Sequence, residues 1–218
     1  MSIIIGLVFT IAAYLIGNLN FAYILVKFFK NEDVRNYGSG NAGTTNVLRV
    51  MGKNFALPVF ILDALKGCLV VVVGRLLGLD AVYDGIFLAL GGIAVVAGHN
   101  WPAFLQFRGG KGTATSLGVF LTLDWEVAII AIMIGLIVLA IWKMVSLASM
   151  VGMTMLPVFT LLTGRNTTEI VFAFVLCFFS VFQHRKNIGR IIQGRESKLG
   201  QKVNIKKKPE KTEKPDED

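Results

Sequence analysis

Of the 218 residues, 54% are hydrophobic and only 17% are charged, with a formal net charge of +8. A soluble domain of this length is about a quarter charged, so this chain is too apolar to fold around one core and still show water a polar surface; lipid is its expected solvent. The positive charge does not point to nucleic acid, because no basic patch sits beside aromatic stacking residues in a polar segment; it fits basic loops that hold cytoplasmic helix ends against anionic headgroups.

A spanning helix needs roughly 20 residues, and seven apolar runs qualify as candidates: 3–26, 54–74, 84–106, 112–123, 126–142, 146–163 and 168–184. The first has no basic leader and no small-residue cleavage site, and further runs follow it, so it reads as a retained helix. Pro102 is expected to bend or end the third. The fourth is short, and if it and a neighbour only re-enter the bilayer the count drops to five. The expected fold is all-α, a polytopic transmembrane helix bundle of seven spans, with five as the alternative. Cys68 and Cys177 each lie inside an apolar run and imply neither a disulfide framework nor a metal pair.

Lysine and arginine set the expected orientation. Lys27, Lys30, Arg35, Arg49 and Lys53 follow the first run, Arg108 and Lys111 the third, Lys143 the fifth, and Arg185, Lys186 and Arg190 the seventh. An odd number of spans puts all of these in the cytoplasm, with the N-terminus outside and the C-terminus inside. Residues 1–199 form the expected transmembrane domain. Residues 200–218, lysines and acids with two prolines, read as a disordered charged cytoplasmic tail.

Three polar segments fall on that one side. The first runs Gly38-Ser39-Gly40-Asn41-Ala42-Gly43-Thr44-Thr45-Asn46, with Arg49 following. It fits G-x-G-x-x-G, but a dinucleotide fingerprint needs a strand before it and a βαβ unit around it. Small residues there let backbone approach a ligand, hydroxyl and amide groups bond it at short range, and Arg49 can grip an anion with two parallel bonds. The plain alternative is an interfacial turn without special chemistry.

The second segment is Gly98-His99-Asn100-Trp101-Pro102, then Arg108-Gly109-Gly110-Lys111-Gly112-Thr113-Ala114-Thr115. It departs from the Walker A pattern, which wants Ser or Thr after the lysine and a glycine five residues before the Gly-Lys pair. The physics of a glycine-rich turn entering a helix N-terminus still favours phosphate. Trp101 reads as an interfacial anchor. The third segment is His184-Arg185-Lys186-Asn187-Ile188-Gly189-Arg190, continuing to Gly194-Arg195-Glu196-Ser197-Lys198. His184 can hydrogen-bond a phosphate or move a proton, while Lys186 reads as a headgroup contact. Asp63 and Lys66 lie three apart inside the second run, and charges within a span are functional candidates or a structural ion pair.

Taken together, the segments closely resemble the bacterial membrane-bound acyl-phosphate:glycerol-3-phosphate acyltransferases, which begin phospholipid synthesis. The likeness rests on Ser39-Gly40-Asn41-x-Gly43-x-Thr45-Asn46-x-x-Arg49, on Gly109-Gly110-Lys111-Gly112-x-Ala114-Thr115 after Gly98-His99, and on His184-Arg185-x-Asn187-Ile188-x-Arg190 with Gly194-x-Glu196-x-Lys198. Asp63-x-x-Lys66-Gly67 fits as well.

The resemblance implies acyl transfer from acyl phosphate to the 1-hydroxyl of glycerol 3-phosphate, giving lysophosphatidate and phosphate. It implies membrane lipid around the site and functional coupling to an enzyme that makes acyl phosphate; arginine, lysine and helix N-termini can bear the charge, so no metal or other cofactor is expected. The His-x4-Asp signature of thioester-using glycerolipid acyltransferases is absent, since Phe104 follows His99 and Gly189 follows His184 at that spacing. Ser39, Arg49, Lys111, His184 and Asn187 are the implied catalytic residues. Gly40, Asn41, Thr45, Asn46, Lys66, His99, Gly109, Gly110, Gly112, Thr115, Arg185 and Glu196 are the implied substrate contacts. The proton of the attacking hydroxyl goes to His184 or to the donor's own phosphoryl oxygen; an acylated Ser39 is unneeded. A transporter of phosphorylated solutes is the main rival, but no internal repeat supports it.

Overall fold

The computed structural model describes residues 2–200, and the tail expected beyond them lies outside the described residues. These contain ten α-helices and three 3-10 turns, with no strand. The helices are α1 (Ser2–Asn18), α2 (Phe21–Lys30), α3 (Thr44–Met51), α4 (Lys53–Leu76) and α5 (Ile86–Asn100). Then follow α6 (Thr113–Leu123), α7 (Trp125–Trp142), α8 (Val145–Leu162), α9 (Thr167–Gln183) and α10 (Arg185–Ile192).

Local chemistry sets the boundaries. The first apolar run is two helices, because Asn20 takes an extended conformation and its side-chain oxygen accepts from Tyr23 N at 2.9 Å, an N-cap that starts a new helix. α5 stops at Asn100, since Trp101 precedes Pro102 and is driven out of the helical region (φ −130°, ψ 65°). Asp124 and Asn166 cap α7 and α9 through Val127 N and Glu169 N.

Five stretches are long and apolar enough to cross a bilayer: 2–30 (α1 with α2), α4, Tyr83–Leu105, α7 and α8. α9 with α10, bent by 59°, makes a sixth. The fourth expected run, the short one at 112–123, is α6. Its eleven residues rise about 16 Å, roughly half the hydrocarbon thickness.

The ends of α6 show where it lies. Arg75 of α4 donates to the Thr122 and Leu123 carbonyls at 2.7 and 3.0 Å. Arg165, between α8 and α9, pairs with Asp124 at 2.7 Å. These groups mark one end of the bundle. The start of α6 reaches only the middle of α4: a Cβ on Gly67 would meet Thr115 O at 2.3 Å, and one on Gly118 would meet Ala64 O at 1.9 Å. Backbone packs on backbone here, as small residues permit between membrane helices. Above α6 the bundle is left open to mid-depth. The core below is apolar, with Phe120 stacked on Phe172 at 5.3 Å among Val119, Leu156 and Leu176.

Candidate active site

A cavity of about 880 Å³ fills the opening above α6, and all three polar segments line it. Asp63, His99 and Asn100 reach it from α4 and α5.

The first segment is folded by its own amides. Asn46 is buried; its oxygen accepts from Ser39 N at 2.8 Å and its nitrogen donates to the Val34 and Tyr37 carbonyls at 3.1 Å each. Its amide therefore shapes the loop that carries Ser39. Asn41 Nδ2 and Ala42 N both donate to Gly109 O, at 3.2 and 3.3 Å, which ties the first segment to the second. Asn20 Nδ2 donates to Ala42 O at 2.9 Å and anchors the same loop to α2. Arg35, paired with Asp33 at 2.7 Å, donates to Leu105 O at 2.9 Å.

The second segment turns tightly over His99. Gly110 N donates to His99 O at 3.0 Å. A Cβ on Gly109 would meet His99 O at 2.1 Å, and one on Gly110 would meet His99 Nε2 at 2.0 Å. Gly112 has φ +75°, a conformation that glycine adopts without penalty. Only glycine fits all three places. α6 starts at the next residue, so its unbonded N–H groups and dipole end face the cavity. Lys111 also faces it.

The third segment closes the ring. Lys111 Nζ donates to Asn187 Oδ1, and Asn187 Nδ2 donates to Glu196 Oε1 at 2.7 Å. Glu196 also accepts from Ser146 Oγ at 2.8 Å and from Arg190 Nε at 2.6 Å. Burial raises the Glu196 carboxyl, but Arg190, Asn187 and Ser146 outweigh it and hold the group below the usual carboxylate range. Its two oxygens serve three protein donors, so Glu196 organises the cations and is not placed to bind an anion itself. Burial, reinforced by Arg190 and Arg49 and eased by Glu196, pulls Lys111 down to about 8. It stays cationic at neutral pH.

His184 is 2% exposed. Its Nδ1 lies 2.8 Å from Ser180 O; a carbonyl only accepts, so Nδ1 carries the proton and Nε2 keeps its lone pair.

Seven basic side chains and three carboxylates line the cavity. The carboxylates are paired, Asp33 with Arg35, Asp63 with Lys66 and Glu196 with Arg190. Arg49, Arg108, Lys111, Arg185 and Lys186 have no ion-pair partner among the described residues.

Of the residues singled out from sequence, Ser39, Gly40, Asn41, Thr45, Asn46, Arg49, His99, Gly109, Gly110, Lys111, Gly112, His184, Arg185, Asn187 and Glu196 line the cavity. Lys66 and Thr115 do not. Lys66 lies behind Asp63 at 2.9 Å and donates to the Gly17 and Leu19 carbonyls at 3.2 and 2.8 Å. Thr115 is fully buried against α4. Trp101 sits edge-on to Phe179 at 5.1 Å, and its carbonyl accepts from Tyr14 at 2.9 Å.

Sequence reasoning missed Ser146 and Gln183. Gln183 Nε2 bridges the Asn100 and Gly110 carbonyls at 3.4 Å each. It adjoins His184 at the polar end of an apolar run, which was the available signal. A single serine at the head of α8 offered none.

The sequence model of the glycerol-3-phosphate acyltransferase family matches residues 7–194. A glycerol-3-phosphate acyltransferase of Thermoanaerobacter sp. (strain X514) is 50% identical over 196 residues, covering 90% of this chain and 96% of that one. Crystal structures of PlsY, an integral membrane glycerol 3-phosphate acyltransferase, share the fold. Its glycerol 3-phosphate form superposes with a TM-score of 0.82 at 36% identity over 89% of this chain and 96% of that one. Its lysophosphatidic acid form gives 0.79 at 35%, over 89% and 95%. An all-helical membrane bundle with three glycine, arginine and histidine segments around one basic cavity thus matches a known enzyme in sequence and in shape, and the chain belongs to the membrane glycerol-3-phosphate acyltransferase family.

Proposed function

We propose that the enzyme transfers an acyl group from acyl phosphate to the 1-hydroxyl of glycerol 3-phosphate, releasing lysophosphatidate and inorganic phosphate. The observation that carries this is the cavity's excess of cations, with five basic side chains that have no ion-pair partner among the described residues. A phosphate monoester carries roughly −1.5 to −2 at pH 7, so two phosphorylated substrates bring about −3 to −4. The basic excess suits two such groups better than one. Two unit charges 4 Å apart repel by about 4 kcal/mol at an effective dielectric near 20, and side chains between them offset that.

The glycine turn Gly109–Gly112, Lys111 and the start of α6 bind the acceptor phosphate. Arg49, with Ser39 and the backbone around Gly40 and Thr45, binds the donor phosphate and the carbonyl oxygen as it becomes negative. Arg185 adds charge at the rim. Asn187 and Glu196 position Lys111 and Arg190. The hydroxyl oxygen attacks the acyl carbon, the bond from that carbon to the phosphoryl oxygen breaks, and the proton leaves with the phosphate. The donor's own phosphoryl oxygen, whose second ionisation lies at about 6, takes the proton as it leaves, and His184 Nε2 accepts a hydrogen bond from the acceptor's 2-hydroxyl, which orients the glycerol.

We also propose that the chain passes the bundle seven times, with α6 as a half-length pass. That odd number puts the N-terminus outside and opens the cavity to the bacterial cytoplasm. Glycerol 3-phosphate enters from water and the acyl chain from lipid, and an enzyme that makes acyl phosphate supplies the donor.

The test mixes purified, lipid-reconstituted protein with glycerol 3-phosphate and either palmitoyl phosphate or palmitoyl-CoA. Lysophosphatidate and phosphate in equal amounts, from palmitoyl phosphate alone, are expected. Product from palmitoyl-CoA would break the donor assignment.

A further inference from the structure

Lys66 and Asp63 touch no substrate in the reaction above, yet they are buried at 4% and 1% exposure beside the cavity floor. Four acceptors surround Lys66 Nζ. They are the carbonyls of Gly17 at 3.2 Å and Leu19 at 2.8 Å, Asp63 Oδ1 at 2.9 Å and His99 Nδ1 at 2.9 Å. The two carbonyls are available because α1 ends at Asn18 and α2 begins only at Phe21, which leaves helix-end acceptors unbonded.

An ammonium group donates and cannot accept. With Lys66 Nζ at 2.9 Å, His99 Nδ1 must offer a lone pair, so a neutral His99 carries its proton on Nε2. The other form would point Nδ1–H at Asp63 Oδ1 over 3.4 Å and set two donors head to head at 2.9 Å. His99 Nε2 lies against Gly110, since a Cβ on that glycine would fall 2.0 Å from it, and the residue lines the cavity.

We propose that Lys66, held by Asp63 and the α1–α2 break, fixes His99 in its Nε2–H form so that it donates a hydrogen bond to the acceptor at the Gly109–Gly112 turn. Lys66 and Asp63 are positioning residues that act through His99. His184 takes the opposite form, with its proton on Nδ1 and its Nε2 lone pair free. The enzyme's two histidines thus supply one donor and one acceptor to the same cavity. This rests on reading the glycine turn as the acceptor-phosphate site.

Labelling with [15N]histidine gives only two ring systems, assigned by comparison with His184→Gln. At pH 7 His99 is expected with its proton on Nε2 and His184 with its proton on Nδ1. His99 protonated on Nδ1 in the unsubstituted protein would overturn the proposal, and that measurement needs no variant to fold. Calorimetric binding of glycerol 3-phosphate supplies the second arm. Lys66→Met is expected to weaken it about tenfold, to move the His99 resonances but not those of His184, and to leave the KM for acyl phosphate unchanged. His99→Ala is expected to weaken it at least as much, and the double variant no more than the worse single, because the two act in one chain. A folded Lys66→Met protein with unaltered affinity and unaltered His99 resonances would overturn the proposal. So would equal losses for both substrates. Failure of the unsubstituted protein to bind glycerol 3-phosphate would refute the acceptor assignment of the turn itself, and His99's role with it.

Discussion

At the scale of single residues the site depends on where protons sit. Lys111 holds its charge up to about 8. Burial lowers its pKa, so the cation is present at neutral pH and is lost as pH rises through that value. kcat/KM for glycerol 3-phosphate is expected to fall on an alkaline limb near pH 8, and Lys111→Arg to move that limb upward; a rate flat to pH 10 would contradict this. His184→Gln is expected to keep kcat within about tenfold, because general-base loss typically costs 10²–10⁴ and the proposed mechanism gives that role to the phosphoryl oxygen. A loss of 10³ would make His184 the base. Gly110→Ala forces a methyl group onto the His99 ring and is expected to abolish detectable glycerol 3-phosphate binding. Gly189→Ala, with nothing within 4 Å of the added carbon, is expected to be active, and together the two variants check that the turn is sterically fixed.

Much of this was legible because glycine, arginine and histidine cluster where an apolar sequence has no packing use for them. Lys66 lies off the cavity lining for a physical reason. A lysine inside an apolar run signals function by default, but Lys66 satisfies carbonyls at a helix break that the unbroken apolarity of residues 3–26 concealed. Asn46, a substrate contact by resemblance, also has a structural task that its motif position does not reveal, since its amide organises the loop that carries Ser39.

At the scale of elements, two departures from full-length helices make the site. The break at Asn20 ends α1, frees the carbonyls for Lys66, and lets Asn20 hold Ala42. Asn20→Ala loses an N-cap worth about 1 kcal/mol and the tie to the first loop. The variant is expected to melt lower in detergent and to show a raised KM for acyl phosphate, read by thermal unfolding and steady-state assay; an unchanged KM would show that the tie is not used. The second departure is α6, whose shortness leaves room for the cavity above it. The sequence showed the short run at 112–123 but not its depth, because depth is set by close backbone packing of Gly67 and Gly118 between α4 and α6. Periodicity does not carry that information.

At the scale of the whole molecule, charge is divided between the two ends. Around the cavity the unpaired side chains are cationic, while at the opposite end Arg165 is bound by Asp124 and Glu126 at 2.7 and 2.6 Å. The first end attracts anions and the second holds the connections between α6, α7, α8 and α9. All-helical architecture and membrane residence follow from composition and run length alone. Convergence of three segments some seventy residues apart could be inferred only from their shared side of the bilayer, and the bonds that join them, Asn41 to Gly109 and Lys111 to Asn187, needed the fold.

The central claim is that the bond formed joins the acceptor's hydroxyl oxygen to the acyl carbon and not to phosphorus. Glycerol 3-phosphate labelled with ¹⁸O at its 1-hydroxyl, turned over with palmitoyl phosphate, tests it most directly. The expected result is label in the ester of lysophosphatidate and none in the released phosphate. Label in a glycerol bisphosphate, with free palmitate alongside, would mean phosphoryl transfer and would contradict the account.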